Sequence, residues 1–302
     1  MKNTVRSDNP KLNEVCNYVL GTNGKRIRPA MCILSFKACG GVDTKKAIEV
    51  GTALEIIHNA TLVHDDINDQ GDMRRGAKAA YKQFSISRSI VTGDYLFALG
   101  FRLIGSSSKE IVDYLVDASS AMCEGEFDQK DFEHNIGVKE SDYIKIIDGK
   151  TARLIECAAK SGAFLANANM EVIDAVGTFA HKTGMAFQII DDILDIVGDE
   201  RSTGKNVGSD IMEGKPTLPV IYAMQDKIHG DKIRGLFEAD SLEWFDVNSA
   251  IEMVKKTDAI KRCVQKAKEI VDEAKASLNV LEDSQYKRSL IDLAQFIVER
   301  DR

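Results

Sequence analysis

The chain has 302 residues, enough for one large domain or two ordinary ones with a sizeable buried core. Its formal net charge of -7 argues against nucleic acid as a partner, and no apolar run reaches the ~18 residues that span a bilayer. Six scattered cysteines without a C-x-x-C pair indicate buried, reduced thiols, and the N-terminus lacks the apolar region of a signal peptide. We therefore expect a cytoplasmic protein without a transmembrane segment.

Helical patterns dominate the chain. Only four prolines occur, and none lies between residues 30 and 215. Apolar residues recur at helical spacing, for example Leu54, Ile57 and Thr61. There is no clean strand alternation and no hairpin signal of the Asn-Gly type outside loops, and no segment resembles a linker. The sequence predicts an all-α fold with a single domain over residues 1–302.

The first polar feature in chain order is a cationic turn, Gly24-Lys25-Arg26-Ile27-Arg28-Pro29. Pro29 is favourable near the start of the helix that follows, because its fixed φ suits the first helical turn. Three cationic side chains in so short a segment provide charge and hydrogen-bond donors for a phosphate group.

The first acidic cluster follows a mostly apolar stretch. In Asp65-Asp66-Ile67-Asn68-Asp69, the i, i+4 spacing places Asp65 and Asp69 on one helix face. His58, seven residues earlier, lies on the same stripe, although a lone histidine there is more often part of a core. Arg74 and Arg75 come directly after the cluster, so acidic and basic groups alternate at one place.

The second acidic cluster repeats the D-D-x-x-D spacing in Asp191-Asp192-Ile193-Leu194-Asp195. Gly-Lys steps lie before and after it, and their glycines allow the backbone to approach a ligand. A P-loop is excluded, because five residues separate Gly198 from Gly204 and no Ser or Thr follows the lysine. The lysines of these steps are Lys150, Lys205 and Lys215.

Each of these pieces is common on its own. A lone Gly-Lys step usually marks a solvated helix end, and a single acidic cluster is usually a helix terminus or a loop. Two clusters that repel internally, placed after apolar residues, indicate a site that gains cations. Mg²⁺ fits, because it takes one or two carboxylates per ion and completes its octahedron with water and phosphate oxygens.

In their order and spacing, these motifs resemble the trans (E-type) isoprenyl diphosphate synthases, the polyprenyl synthetase family, over nearly the whole length of the chain. The family's fold is an all-α bundle of long, mostly antiparallel helices around a central active-site cavity, usually as a homodimer. The markers are Gly-Lys-Arg-Ile-Arg-Pro, Leu62-Val63-His64-Asp65-Asp66 through Arg74-Arg75-Gly76, Gly149-Lys150-Thr151, and Phe187-Gln188-Ile189-Ile190-Asp191-Asp192 through Gly198-Asp199.

The resemblance implies a prenyltransferase with two diphosphate substrates. An allylic diphosphate ionises, isopentenyl diphosphate attacks the cation head-to-tail, and a proton is lost, with the released pyrophosphate as the base. Three Mg²⁺ ions per site would stabilise the departing pyrophosphate. By resemblance, Asp65, Asp69 and Asp191 hold these ions, while Asp66, Asp192 and Asp195 orient waters and ligands around them.

The same resemblance assigns the cationic and polar residues. The further donors to the leaving pyrophosphate are Arg74, Lys150, Lys205 and Lys215. The Lys150 carbonyl, the Thr151 hydroxyl and the Gln188 amide oxygen would face the allylic cation. The isopentenyl diphosphate would be held without metal by Lys25, Arg28, His58 and Arg75.

In this family, aromatic residues four or five positions before the first aspartate limit the product to a short chain. Thr61 and Ala60 occupy these positions, and no aromatic residue occurs between Phe36 and Tyr81. A helical turn rises ~5.4 Å, about one isoprene unit. We expect a product longer than twenty carbons. Residues that could close the pocket sooner, giving a geranylgeranyl or farnesyl diphosphate synthase, are Ile57, Leu54, Phe84, Tyr95, Phe97 and Phe101.

Two alternatives of other kinds stay open. A class I terpene cyclase shares the metal chemistry, but it has no second diphosphate to bind and generally carries a different second metal motif. A non-catalytic helical partner subunit shares the fold, but such subunits usually lose aspartates or the paired arginines, and this chain keeps them.

Overall fold

The computed structural model describes residues 5–198, 207–239 and 242–299, and the predicted all-α architecture is confirmed. A five-residue π-helical turn, Asp148–Ala152, and a short 3-10 turn, Leu278–Val280, lie between α-helices. The helices are α1 Pro10–Gly21, α2 Ile27–Ala38, α3 Lys45–Asn68, α4 Ala80–Gln83, α5 Ile86–Ile104, α6 Lys109–Phe132, α7 Glu140–Ile147, α8 Arg153–Leu165, α9 Met170–Val197, α10 Ser209–Met212, α11 Leu218–Ala223, α12 Gly230–Phe237, α13 Trp244–Lys255, α14 Ala259–Ser277 and α15 Gln285–Glu299.

Side-chain caps fix the starts of several helices. The Asn9 side chain accepts hydrogen bonds from the first free amides of α1, and Pro10 follows it. Asn169 caps α9 through the Val172 amide at 2.9 Å, and Ser85 caps α5. Such caps satisfy amides that have no partner within the helix.

The long helices pack around α3 and α9, which carry the acidic clusters. Helix α3 packs along α5 and α2, while α9 packs along α8 and α14. Asp69 is the C-cap of α3, and Asp195 lies in the last turn of α9. Negative charge is unfavourable at the C-terminal end of a helix, where the helix dipole is also negative. Both clusters therefore need cationic partners.

Two hydrophobic cores hold the helices together. The larger one includes buried residues from Ile27 to Val298. The smaller one lies between α1, α3 and α5 and includes Leu20, Ala60 and Leu96. The larger core draws on residues from both halves of the chain.

A short β-hairpin follows the first acidic cluster, where the sequence pattern predicts no strand. Strand β1, Met73–Arg74, pairs with β2, Ala77–Lys78, in antiparallel register. Arg75 and Gly76, with φ of 53° and 76°, form the turn. Positive φ at both central residues is the geometry of a tight two-residue hairpin. The signal was an Arg-Gly step rather than Asn-Gly.

Composition alone gave one expectation about membrane-spanning helices and one about the cysteines. In the described part of the chain, no helix combines the length and hydropathy needed to cross a membrane. All six cysteines are free, and four are buried. Cys39 is half-buried and Cys123 is exposed, so the expectation of uniformly buried thiols is wrong for these two.

Candidate active site

Asp65 lies in a partly buried cluster of acidic groups at the end of α3. Burial raises the pKa of its carboxyl to about 6, and the nearby charges of Glu126 and Asp69 add to this effect. Lys150 acts in the opposite direction. A carboxyl whose ionisation is disfavoured by burial and by like charges is one that a divalent cation would stabilise.

Asp69 contacts two lysines from distant segments. The Lys215 ammonium lies 2.8 Å and the Lys130 ammonium 3.6 Å from its Oδ1 atom. Although burial opposes the change, Lys215 lowers the pKa of Asp69 below its ordinary value. Lys215 is itself buried and also lies 2.6 Å from Glu213. Burial disfavours its charge, but Asp69 and Glu213 raise the pKa of this ammonium.

The middle aspartate of the first cluster has a different environment. Asp66 is buried, and its Oδ1 atom accepts from Arg74 Nε at 2.7 Å, with Arg74 Nη2 at 2.5 Å. This pair fastens the hairpin to α3. Asp66 thus fixes the position of Arg74.

Lys150 and Thr151 lie on the π-helical turn. The Lys150 ammonium lies 2.5 Å from Glu126 and donates to Gln129 at 2.8 Å, both on α6. Close backbone packing makes this possible, because a Cβ on Gly149 would lie 2.4 Å from the Ala121 carbonyl oxygen. Single π turns inside α-helices are frequent at functional sites, since they change the direction of the side chains they carry.

A chain of hydrogen bonds joins the π turn to the second acidic cluster. Thr151 Oγ1 donates to Gln188 Oε1 at 2.8 Å, and Gln188 Nε2 donates to Asp192 Oδ1 at 2.8 Å. The Tyr143 hydroxyl donates to Asp192 Oδ2 at 2.7 Å. Burial, followed by the charge of Asp210, raises the pKa of Asp192. The network fixes the orientation of the Gln188 amide.

The two outer aspartates of the second cluster contact different segments. The Lys25 ammonium lies 3.2 Å from Asp191 Oδ1 and 4.8 Å from the centre of the Phe187 ring. Asp195 accepts from the Ser209 hydroxyl and from the amides of Ser209 and Asp210. Asp195 therefore anchors the start of α10, and the structure brings Lys25 to the acidic cluster.

The remaining predicted cations form a group beside α3. Arg28 is buried, and burial lowers its pKa to about 10. Burial, and then the charges of Arg28 and Arg75, lower the pKa of His58 well below its ordinary value. Arg75 donates to Asn59 at 3.2 Å, and a Cβ on Gly24 would lie 2.8 Å from the Arg75 guanidinium. The cationic turn and the hairpin thus meet.

The three residues predicted to set product length lie on different sides of α3. Thr61 is half-buried on the face that carries Asp65, and its hydroxyl donates to the His58 carbonyl oxygen at 2.8 Å. Ala60 is fully buried in the smaller core, and Ile57 is fully buried in the larger one. Of the three, Thr61 alone has an accessible surface.

A cleft of about 460 Å³ opens beside the first acidic cluster. Its sides come from the end of α3, the hairpin, the end of α6, the start of α10 and the start of α13. The lining includes Asp66, Asp69, Met73, Arg74, Lys130, Glu133, Ser209, Met212, Glu213 and Trp244.

The predicted phosphate donor Lys205 lies outside the described residues.

The donor set fits Mg²⁺ bound together with a diphosphate. Among residues 5–198, 207–239 and 242–299, no group of three or more His, Cys, Asp or Glu side chains is assembled to hold a metal without other ligands. Mg²⁺ does not need one, because it takes few protein carboxylates and completes its shell with water and phosphate oxygens. Asp65 and Asp69 are close enough to affect each other's ionisation.

Several contacting residues are not predicted from the sequence. Glu126 and Lys130 have helical i, i+4 spacing on α6, but this looks like an ordinary surface pair. Tyr143 has no local signal, because its partner Asp192 lies on another helix. The others are Glu55, which lies 2.7 Å from Arg26, together with Asn59, Gln129, Glu213 and Trp244.

Taken together, an all-α bundle with two acidic helix ends and convergent cations defines an isoprenoid synthase, a class of proteins that act on diphosphates. Residues 9–254 match the family described as Polyprenyl synthetase. The chain belongs to the polyprenyl synthetase family, and it is a prenyltransferase. The family, fold class and enzyme class predicted from the sequence are confirmed.

Similar proteins cover nearly the whole chain. The all-trans-nonaprenyl-diphosphate synthase (geranyl-diphosphate specific) of Rhodobacter capsulatus is 37% identical over 291 residues, 95% of this chain and 88% of the relative. The short chain isoprenyl diphosphate synthase of Methanothermobacter thermautotrophicus is 37% identical over 289 residues, 94% and 89% respectively. The polyprenyl synthase of Caulobacter crescentus, crystallised with calcium and isoprenyl diphosphate, matches with a TM-score of 0.94 and 31% identity, covering 100% of this chain and 92% of that one.

Proposed function

We propose that the chain is an all-trans polyprenyl diphosphate synthase that adds isopentenyl diphosphate to an allylic diphosphate and makes a product longer than twenty carbons. The observation that carries the proposal is the buried ion pair between the Lys215 ammonium and the Asp69 carboxylate, beside a cleft of about 460 Å³. A cation and an acidic helix end are thus brought together where a diphosphate and its counter-ions would bind.

The allylic diphosphate binds at the acidic clusters in this proposal. Asp65, Asp69 and Asp191 would hold Mg²⁺, three ions per site, which would supply positive charge against the departing pyrophosphate. Calcium and isoprenyl diphosphate in the similar Caulobacter protein support this assignment. The other three aspartates position neighbouring side chains of the site. Asp66 contacts Arg74, Asp192 contacts Gln188, and Asp195 contacts Ser209.

Cationic side chains contact the diphosphate directly. Three cations lie beside the first cluster: Lys215, Lys150 and, on the hairpin, Arg74. In this structure all three are paired with carboxylates. As the carbon–oxygen bond breaks, the electron pair leaves with the pyrophosphate, and these donors stabilise the added charge. Lys205 has the same assigned role from its sequence motif.

The allylic cation forms next to Thr151 and Gln188. The hydrogen bond between them leaves each oxygen with a lone pair that stabilises positive charge. The double bond of isopentenyl diphosphate attacks this cation, and a carbon–carbon bond forms. The released pyrophosphate then takes the proton, which restores a double bond and completes the cycle.

Isopentenyl diphosphate binds without metal at Arg28, His58 and Arg75, with Lys25 at the entrance. The buried Arg28 and half-buried Arg75 guanidinium groups provide charge, and the lowered pKa of His58 makes it a neutral donor at pH 7. Asn59 orients Arg75, and Glu55 orients Arg26.

The growing chain passes along the Asp65 face of α3 in this proposal. Thr61 lies one turn before Asp65 on that face and carries no aromatic ring. The nonaprenyl relative supports a long product, and the equally identical short-chain relative keeps geranylgeranyl or farnesyl diphosphate as the alternative. Phe97 and Phe101 of α5, whose ring centres lie 6.3 Å apart, are partly buried and are the aromatic pair that would close the pocket sooner.

We also propose a cytoplasmic homodimer of single-domain subunits. Helices α5 and α6 expose Ile90, Val91, Val116 and Phe127, which a partner subunit would cover. Light scattering after size-exclusion chromatography tests the dimer, and a monomer at micromolar concentration would contradict it.

The decisive experiment is incubation with Mg²⁺, labelled isopentenyl diphosphate and allylic primers of five, ten, fifteen and twenty carbons, followed by product sizing. Elongation beyond twenty carbons is expected. Products that end at fifteen or twenty carbons would support the shorter-chain alternative. Cyclised products without use of isopentenyl diphosphate would indicate a terpene cyclase, and no elongation with any primer would indicate a non-catalytic subunit.

A further inference from the structure

The loop after α6 packs directly against the turn that carries Lys215. The His134 amide donates to the Gly214 carbonyl oxygen at 2.8 Å. A Cβ built on Gly214 would lie 2.4 Å from Cε1 and Nε2 of the His134 ring, so the imidazole covers the Gly214 backbone. Gly214 has φ of 68° and is buried, whereas His134 is exposed.

This contact helps to fix the position of the Lys215 backbone. The Lys215 amide donates to the Asp210 carbonyl oxygen at 2.8 Å, so its backbone is tied to α10 on one side and to the loop after α6 on the other. Its ammonium reaches Asp69 and Glu213. With only its side-chain torsions free, the position of the ammonium depends on these two backbone attachments.

We propose that His134 is a positioning residue: its ring covers Gly214 and holds the Lys215 turn in place. This inference rests on the proposed function, in which Lys215 contacts the allylic diphosphate. The role belongs to the ring surface and not to ring protonation. Small displacements of a charged donor reduce catalysis strongly, since its interaction with the developing charge depends on geometry.

The backbone of His134 permits a matched set of variants. His134 has φ of 57°, a left-handed conformation that asparagine, like histidine, adopts more readily than most residues with a side chain. His134→Asn therefore removes the ring and keeps the backbone, and His134→Phe restores a planar ring without nitrogens. His229 precedes α12, far along the chain from this contact. His229→Asn is the control, because it makes the same exchange at another site.

The kinetic experiment is a double-mutant cycle with Lys215→Ala. We expect His134→Asn to lower kcat/KM for the allylic diphosphate by about tenfold or more, with the KM for isopentenyl diphosphate unchanged. His134→Phe should restore most of the loss. In the Lys215→Ala background, His134→Asn should have no further effect. An equal loss in both backgrounds would overturn the positioning role.

A second measurement does not depend on activity. Acetylation of Lys215 by acetic anhydride, followed by mass spectrometry, should be slow in the wild-type protein and in His134→Phe, where the ammonium stays paired with Asp69 and Glu213. It should be several times faster in His134→Asn, in which the displaced ammonium loses these partners. Unchanged labelling in His134→Asn would contradict the positioning role. Wild-type kinetics in Lys215→Ala would instead contradict the proposed function of Lys215, while the labelling would still test His134.

Discussion

The Lys215 ammonium lies 2.8 Å from Asp69, so the segment after the second acidic cluster reaches the end of the helix that carries the first. Lys130, from the end of α6, approaches the same carboxylate at 3.6 Å. These cations offset the unfavourable position of Asp69 at the C-terminal end of α3. The same positive charges lie where a diphosphate would bind.

Replacement of Asp69 tests this arrangement. We expect Asp69→Asn to lower turnover by about 10²-fold or more, because it removes a carboxylate for Mg²⁺ and the partner of Lys215. Steady-state kinetics with labelled isopentenyl diphosphate measure the effect. Asp113→Asn, which breaks an exposed pair with Lys109, is the matched control. Wild-type turnover in Asp69→Asn would exclude a direct role for Asp69.

A phenylalanine at position 61 should shorten the product, whereas one at position 60 should mainly lower stability. Thr61→Phe places a ring on the Asp65 face of α3, and we expect shorter products in chromatographic sizing, with little loss of stability. Ala60→Phe inserts a ring into the fully buried smaller core and should cost about 1–3 kcal/mol of unfolding free energy. Unchanged products in Thr61→Phe would show that the chain grows along another surface.

The Tyr143 hydroxyl should matter through Asp192. Tyr143→Phe leaves a buried carboxylate oxygen without its donor, which should cost about 1–3 kcal/mol in urea unfolding. Because Gln188 shares this carboxylate, we also expect about a tenfold fall in kcat. Tyr286→Phe on α15 is the control. A variant that loses stability with unchanged kcat would limit Tyr143 to a structural role.

Acid stability should depend on Asp148 at the start of the π turn. A hydrogen bond with His181 lowers the pKa of Asp148 below its ordinary value, helped by Arg153 and opposed by burial. The folded protein therefore gains stability above the unfolded pKa and loses it as pH falls through the lower folded pKa.

Asp148→Asn removes this contribution. Its stability deficit should be about 1 kcal/mol at pH 5 and should shrink as the pH falls from 4 towards 2. Thermal unfolding of both proteins across this range measures the difference. A deficit that grew at low pH would mean that the ionised Asp148 does not stabilise the fold.

Local patterns in the sequence were sufficient for several conclusions. Proline spacing and apolar periodicity predict the helices, and i, i+4 spacing predicts that Asp65 and Asp69 share a face. The hairpin at Arg75-Gly76 was missed, since its strands have two residues each and show no alternation. Short strands of this kind depend on contacts such as Arg74 with Asp66.

The helical fold class, the two acidic clusters and the types of residue around them follow from periodicity and spacing within one helix, so the amino-acid sequence predicts them. Helix packing brings the partners together: Lys215 with Asp69, Lys25 with Asp191 and Tyr143 with Asp192. It also separates Thr61 from the buried Ala60. Such pairings join segments far apart in the chain, and they depend on how whole helices pack, which no local pattern specifies.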